Sequence, residues 1–561
     1  MASAQPPPSS LEQEVDPLPY RDLERLSELA FDNRLTRELP PDPSAAPGSR
    51  QVVGAAFSRV EPVAVPNPRL VAWSAEVAAA LGLDGDGWVD DEAARILSGD
   101  LLPAGSDPHA MSYGGHQFGN WAGQLGDGRA ITLGEVIDRD GQHQVLQLKG
   151  AGPTPYSRGA DGYAVLRSSI REFLCSEAMH HLGIPTTRAL SLTTTGSDVV
   201  RDILYDGHPR PEPGAVVCRV APSFLRFGTY QLPAARGDHD LLRRLVDFTV
   251  VHYFDHLGPP SPDTYVAWFD EVCASTCDLV VDWMRVGFVH GVLNTDNMSI
   301  HGLTIDYGPY GWLDDFDPDW TPNTTDAGTR RYRYRFQPQI AQWNLLQLAN
   351  AIYPLVGEPQ GLEATVNGFV ARYRSGFRAM MLAKLGLDPS DDPAGDDELI
   401  AGLLAALAGA EIDMTIFFRS LGALDPSPTS GPEADRNRDD PLGVGGTLID
   451  AFYHPEALTP ASEKGLRAWL NAYRARVAVE GRDPAERARA MNAVNPRYVL
   501  RNYLAQEAID AAEQGDVSGV RELLDVMRRP YDDQPGRDRF AAKRPDWARD
   551  RPGCSMLSCS S

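Results

Sequence analysis

The chain has 561 residues, 42% of them hydrophobic, enough for a large core in two or three domains or in one elaborated catalytic unit. A formal net charge of −25 excludes a broad phosphate-neutralising face, so no nucleic-acid partner is expected. Six scattered cysteines with no CxxC pair exclude a disulfide framework and suit a reducing compartment. The longest apolar run, "LIAGLLAALAGA" at 399–410, is too short to span a bilayer, and the N-terminus lacks the basic flank and apolar stretch of a signal peptide; a cytoplasmic protein without membrane partners is expected.

Residues 1–50, rich in Pro and Ser, are expected to form a mobile N-terminal segment, and 51–110 an accessory segment with a helical pattern over 68–83. From 111 to 235 the pattern is that of a β-rich small lobe. The strands "RAITLGEVI" and "HQVLQLKG" are joined by the turn "DRDGQ", and a helix over 165–183 presents Leu166, Ile170, Phe173, Leu174 and Met179 on one face. Two more strands follow, "RALSLTTTG" and "GAVVCRVAP". Residues 236–424 read as a helical large lobe, 425–446 as a flexible Pro/Asp/Gly-rich insert, 447–530 as a C-terminal helical module and 531–561 as a tail carrying Cys559. The order of elements predicts an α+β, protein-kinase-like bilobal fold, with a β-rich small lobe, a helical large lobe, and N-terminal and C-terminal helical extensions.

Between two strands, "AGQLGDGRA" (122–130) offers Gly123, Gly126 and Gly128, whose backbone N–H groups can approach a phosphate, with Arg129 as a further anion partner. Asp127 stands at the tip of this loop, where a carboxylate would repel a triphosphate in the usual kinase pose, so the loop is expected to meet another part of the nucleotide. Only four of the 52 basic residues are lysines, and one of them, Lys149, ends a short apolar strand where a kinase places its phosphate-pairing Lys. Its candidate partner is Glu172 on the following helix. "ADGYA" (160–164) is a turn around Asp161 and Gly162. Arg219 and Arg226, seven residues apart, share one face if their segment is helical; otherwise they are two surface ion pairs.

The stretch "HGVLNTDNMSIHGLTIDYGP" (290–309) follows the kinase catalytic frame, His-x-Asp, four residues, Asn, then Asp-x-Gly, with one departure. Val292 stands where the acid belongs, and an additional carboxylate, Asp296, precedes the Asn. Asn297 and Asp306 are hard-oxygen donors suited to Mg²⁺ bridging phosphates. His252 and His256, four apart, lack a third ligand and are not read as a zinc site. Cys273 and Cys277 are expected to be partly buried, and Cys559, in an exposed tail, is a candidate reactive thiol.

Together these segments resemble the selenoprotein O family of pseudokinase-fold protein adenylyltransferases. The resemblance runs through "YGGHQFGNWAGQLGDGRA", "LQLKGAGPTPYSRGADGYAVLRSSIREFL", "APSFLRFG", "HGVLNTDNMSIHGLTIDYGP" and "PQIAQWN", and returns in "NPRYVLRNYLAQEAI" and the "SCSS" tail. It implies ATP bound in reverse orientation and AMP transferred to hydroxyl side chains of protein targets, with loss of pyrophosphate. It further implies that Gly126, Gly128, Arg129, Lys149, Asp161, Gly162, Arg219, Arg226 and Asp306 bind the nucleotide. Asn297 and Asp306 would hold Mg²⁺ or Mn²⁺, and Glu172 would orient Lys149. Asp296 is the candidate proton acceptor in place of the acid missing at Val292. Family members often carry a reactive Cys or selenocysteine near the C-terminus, the place of Cys559, yet residues 307–345 contain no Cys to pair with it. Three other readings stay open: UMP transfer from UTP, a conventional γ-phosphotransferase, and a non-catalytic nucleotide-binding scaffold.

Overall fold

The computed structural model describes residues 22–202, 207–424 and 446–558. Expectations for residues 1–21, for all but the last residue of the insert at 425–446 and for Cys559 lie outside the described residues. Residues 22–50, expected to be mobile, are in part packed. Leu26, Leu29, Leu35 and Leu39 are buried, the helix α1 (Arg34–Glu38) lies among them, and Arg34 pairs with Glu135 at 3.0 Å.

The small lobe is built on β1 (Phe57–Arg59), β2 (Arg69–Trp73), β3 (His109–Met111), a hairpin of β4 (Gly114–Gln117) and β5 (Asn120–Gln124), β6 (Ala130–Ile137), β7 (His143–Lys149), β8 (Ala164–Val165), β9 (Arg188–Arg201) and β10 (Arg210–Ala221). The main sheet is antiparallel in the order β1-β3-β6-β7-β10-β9-β2, with β8 added to β10, and β4-β5 stands apart as its own two-stranded sheet. Residues 68–83, read from sequence as a helix, divide at Ser74. Before it β2 hydrogen-bonds to β9 across more than a hundred residues, and after it Ser74 caps α2 (Ala75–Ala80) by accepting from Val77 N.

Side-chain alternation along the strands places the chemistry. Val216, Cys218 and Val220 of β10 and Leu146 and Leu148 of β7 pack with α3 (Asp91–Ser98) in one core. The intervening residues face the other way, where Ala215 and Val217 meet α4 (Leu166–His181) in the main core. Gln147, Lys149 and Arg219 belong to that second set, and Arg219 and Gln147 are direct register partners. A period of two therefore turns three polar side chains toward Glu172 of α4.

The large lobe comprises α5 (Phe227–Ala235), α6 (His239–Tyr253), α7 (Pro262–Val286), α8 (Gln337–Val356), α9 (Gln360–Leu385), α10 (Pro393–Ala408) and α11 (Met414–Leu421). Ser261 caps α7 with Pro262 at its first turn, and Gly287 in the left-handed region ends it. Immediately after it, β11 (Phe288–Val289) pairs with β12 (Gly311–Trp312), so the stretch between them is a closed loop on a two-stranded base. The C-terminal helices are α12 (Pro460–Glu480), α13 (Pro484–Val494), α14 (Asn502–Ala512) and α15 (Ser518–Met527); α14 and α15 pack on α4. Arg528 pairs with Glu76 at 2.8 Å, and buried Arg501 makes a two-pronged contact with Asp413 at 2.8 and 3.0 Å. Among the described residues no helix is long and apolar enough to cross a membrane.

Candidate active site

The cleft between the lobes is a cavity of about 660 Å³, lined by Gly126, Gly128, Arg129, Lys149, Asp161, Gly162, Arg219, Arg226, Asp296, Asn297 and Asp306 among others. Glu172 lies behind it. Arg158 and Arg201 bring the lining cations to six, with Arg129, Lys149, Arg219 and Arg226, against the four acids Asp127, Asp161, Asp296 and Asp306. In a chain of net charge −25 the cleft is thus locally positive, which favours a polyanionic small molecule.

Its roof is the glycine loop. Gly126 has φ +79°, and a Cβ there would lie 2.3 Å from Cγ of buried Tyr156; at Gly128 a Cβ would meet the Tyr156 carbonyl oxygen at 2.9 Å. Thr154 Oγ1 donates to the Asp127 carbonyl at 2.6 Å, fastening the loop to the following turn. Asp127 is not at an exposed tip. Its carboxylate folds inward, accepting from Met111 N at 3.0 Å and Gln147 Nε2 at 3.3 Å, and burial raises its pKa. Repulsion of a phosphate by a projecting Asp127 therefore does not arise.

On the inner wall, Lys149 Nζ lies 2.5 Å from Glu172 Oε2, and burial pushes the Lys149 pKa down to about 8. The two arginines are not on one helix. Arg219 is in β10 and Arg226, in extended conformation, precedes α5, but the intervening turn brings both guanidinium groups to Asp306. Arg219 Nη1 reaches Asp306 Oδ1 at 2.7 Å and Glu172 Oε1 at 3.1 Å, and Arg226 Nη1 donates to Asp306 Oδ2. Burial would raise the Asp306 pKa, but Arg226, Arg219 and Lys149 hold it well below the usual carboxylate range. Asp306 itself sits at φ +60°, an uncommon backbone state for a non-glycine residue at a site of function.

The floor is the loop between β11 and β12. His290 Nε2 bonds the Ile305 carbonyl at 2.9 Å, tying its two ends together. Asn297 Nδ2 donates to the Val292 carbonyl at 2.8 Å, leaving its amide oxygen as the atom suited to a cation. Asp296 is buried, accepts from Gln117 Nε2 at 3.0 Å, and has its pKa raised to about 6 by burial. At the outer end Asp161 is held by Arg201 at 2.7 and 2.8 Å, and Gly162, at φ +77°, lies where a Cβ would strike the Gly152 backbone at 2.3 Å.

Sequence reasoning did not single out Gln117, Tyr156, Arg158 or Arg201. Gln117 lay inside a quoted motif, whereas Arg201 meets Asp161 from a strand forty residues away, a partnership no local spacing shows. His252 and His256 go to separate acids, Glu38 and Glu271, each at 2.8 Å. Glu76, Glu177 and His181 have ligand atoms within 4.8 Å of one another, but Glu177 is engaged by Arg188 at 2.6 Å and Glu76 by Arg528. Cys175, Cys218, Cys273, Cys277 and Cys554 are buried free thiols.

A kinase-like bilobal fold whose cleft gathers a glycine loop, a Lys–Glu pair, two converging arginines and an Asn/Asp donor set defines a nucleotide-dependent transferase. The sequence model described as protein adenylyltransferase SelO matches residues 47–528. The chain belongs to that family, and is accordingly a protein nucleotidyltransferase. It is 59% identical over 533 residues to the protein nucleotidyltransferase YdiU of Azoarcus sp. (strain BH72), covering 95% of this chain and 99% of the relative. Its identity to the YdiU of Xanthomonas campestris pv. campestris (strain B100) is 59%, covering 96% and 100%, and to that of Rhodopirellula baltica 57%, covering 95% and 99%. Among solved structures, ROP2 from Toxoplasma gondii, described as a virulence factor with a protein-kinase fold and no enzymatic activity, matches with a TM-score of 0.22 and 12% identity, covering 53% of this chain and 87% of its own.

Proposed function

We propose that this chain transfers AMP from ATP to Ser, Thr or Tyr hydroxyls of other proteins, releasing pyrophosphate, with Mg²⁺ or Mn²⁺ held by Asn297 and Asp306. The observation that carries the proposal is the convergence of Arg219 and Arg226 on Asp306, with Lys149 beside them on Glu172, inside a cleft of about 660 Å³. Three cations around the two carboxylates of Glu172 and Asp306 suit the charge of a triphosphate and of its departing pyrophosphate. The Asn297 amide oxygen and the Asp306 carboxylate are hard-oxygen donors that suit the ion once Arg219 and Arg226, which hold both Asp306 oxygens, turn to the phosphates; when bound it would neutralise phosphate charge and polarise the phosphorus centre.

In this reading the acceptor hydroxyl oxygen bonds to the α-phosphorus while the bond to the β-phosphate bridging oxygen breaks. The hydroxyl proton passes to Asp296, and the electron pair leaves with pyrophosphate against Lys149, Arg219 and Arg226. Gly126, Gly128 and Arg129 cover the nucleotide from above, and Asp161 and Gly162 bound its outer end. Glu172 keeps Lys149 pointed into the cleft. The acidic surface argues against a nucleic-acid partner, and the five buried free thiols suit a cytoplasmic setting.

The decisive experiment incubates the protein with ATP or UTP labelled at the α-phosphate, with Mg²⁺ or Mn²⁺, in a protein lysate, followed by mass spectrometry of all modified peptides, labelled and unlabelled, against a lysate without the protein. An adenylyl adduct on a hydroxyl side chain is the expected product. A uridylyl adduct moves the assignment to UTP, and a phosphoryl adduct or ATP binding without incorporation overturns it.

A further inference from the structure

The hairpin β4-β5 does not belong to the main sheet; it leans across the cleft onto the loop that carries Asp296. Three consecutive hairpin residues hold three consecutive loop residues. His116 N donates to Thr295 Oγ1 at 2.7 Å, Gln117 Nε2 to Asp296 Oδ2 at 3.0 Å, and Phe118 N to Asn294 Oδ1 at 3.2 Å. Phe118 N also donates to Tyr332 Oη at 2.8 Å, and that hydroxyl donates in turn to Asn294 Oδ1 at 2.5 Å. Phe118 keeps this place at φ +51°, a conformation a bulky residue rarely adopts, so the surroundings over-determine it.

The fit between hairpin and carboxylate is close. A Cβ on Gly115 would lie 2.5 Å from Asp296 Oδ1, so only glycine lets that oxygen lie against the hairpin backbone. Oδ1 is buried there with no hydrogen-bond partner, which leaves Oδ2 as the oxygen that is actively held, by a side chain that also lines the cavity. From behind, a Cβ on Gly228 at the start of α5 would strike the Gly114 carbonyl at 2.1 Å, so α5 backs the hairpin directly.

We infer that Gln117 is a positioning residue for the transfer: its side-chain amide fixes Asp296 by Oδ2 at the edge of the nucleotide cavity, and the hairpin clamps the loop from Asn294 to Asp296. The inference rests on the reading of Asp296 as the proton acceptor. Gln117 stands at the edge of the cavity with its amide nitrogen engaged by Asp296, so its loss should act on turnover more than on nucleotide affinity.

The test compares Gln117→Leu, Gln117→Glu and Asp296→Asn with the parent, reading label from α-labelled ATP into lysate proteins at fixed lysate concentration. Affinity for a non-hydrolysable ATP analogue with Mg²⁺ is measured in parallel. Gln117→Leu should lower kcat about tenfold or more with KM for ATP and analogue affinity within about twofold of the parent, because loss of orientation acts on the reacting geometry. Gln117→Glu, the same size but with no donor and a repelling charge, should be lower still, and it carries the test alone if the Leu variant fails to fold. A Gln117→Leu rate within twofold of the parent, kcat and KM worsening together, or an unimpaired Gln117→Glu overturns the inference. An inactive Asp296→Asn beside an unimpaired Gln117→Leu defeats the inference alone, whereas a fully active Asp296→Asn defeats the reading of Asp296 and the inference with it.

Discussion

Glu172 holds two cations of the cleft at once: Oε2 lies 2.5 Å from Lys149 Nζ, and Oε1 accepts from Arg219 Nη1 at 3.1 Å. All three side chains are buried. Removing the shared carboxylate therefore strands Lys149 and takes one of its two acids from Arg219, which keeps Asp306. Glu172→Ala should cost about 3–5 kcal/mol of stability, the range for breaking a buried ion pair by deleting one partner, and should reduce AMP transfer as Lys149 and Arg219 lose their orientation. Urea denaturation of the purified variant checks the first part, and a midpoint equal to the parent's would show that Glu172 supports neither cation.

The pKa values of Asp296 and Lys149 bracket neutrality and set a pH window. Asp296 must be ionised to accept a proton, so activity should climb as pH rises through about 6. Lys149 must be protonated to face phosphate, so activity should fall as pH rises through about 8. Asp306, held far below this range by its arginines, adds no limb of its own. The expected kcat/KM profile for ATP is a bell between the two values, since that quantity reports the free enzyme. Lys149→Arg, with a cation that does not titrate here, should flatten the alkaline side while lowering the plateau.

The inner wall of the site was legible in the sequence, because its parts follow a fixed order along the chain. A glycine loop, a lysine in a lysine-poor chain, a helix glutamate and an Asn/Asp pair each occupy one local motif. What stayed hidden depends on contacts between distant segments. Asp127 reads as a loop-tip acid until its partners Met111 N and Gln147 are known, and residues 69–73 read as helix until β9 pairs with them. In sequence the arginine pair offers either a shared helix face or two surface ion pairs, whereas a strand, a turn and a helix start bring Arg219 and Arg226 together in the cleft. Gln117 and Asp296 are 179 residues apart, beyond any periodicity argument.

The proposed metal site at Asn297 and Asp306 carries a prediction of divalent cation dependence. Stripping the protein with EDTA should abolish incorporation of labelled AMP, and Mg²⁺ or Mn²⁺ should restore it. Asp306→Asn keeps the shape of the side chain but removes the charge, so it should lose transfer while still folding. Asp306→Ala should also lose stability, because Arg219 and Arg226 are then buried without their common carboxylate. Full incorporation by Asp306→Asn in the presence of Mg²⁺ would falsify the metal assignment.

The glycine loop offers a prediction that separates backbone strain from steric contact. Gly126 and Gly123 both have positive φ, +79° and +75°, so an alanine at either position carries a similar strain of about 1 kcal/mol. Only at Gly126 does the new Cβ also collide, at 2.3 Å from the Tyr156 ring, whereas at Gly123 nothing lies within 4 Å. Tyr156 cannot step aside, because its ring is fully buried and its hydroxyl is bonded to Ser58 Oγ at 3.0 Å. In Gly126→Ala the loop itself must therefore lift off the cleft, and affinity for an ATP analogue measured by calorimetry should fall about tenfold further than in Gly123→Ala. Equal affinities in the two variants would mean that the loop does not touch the nucleotide.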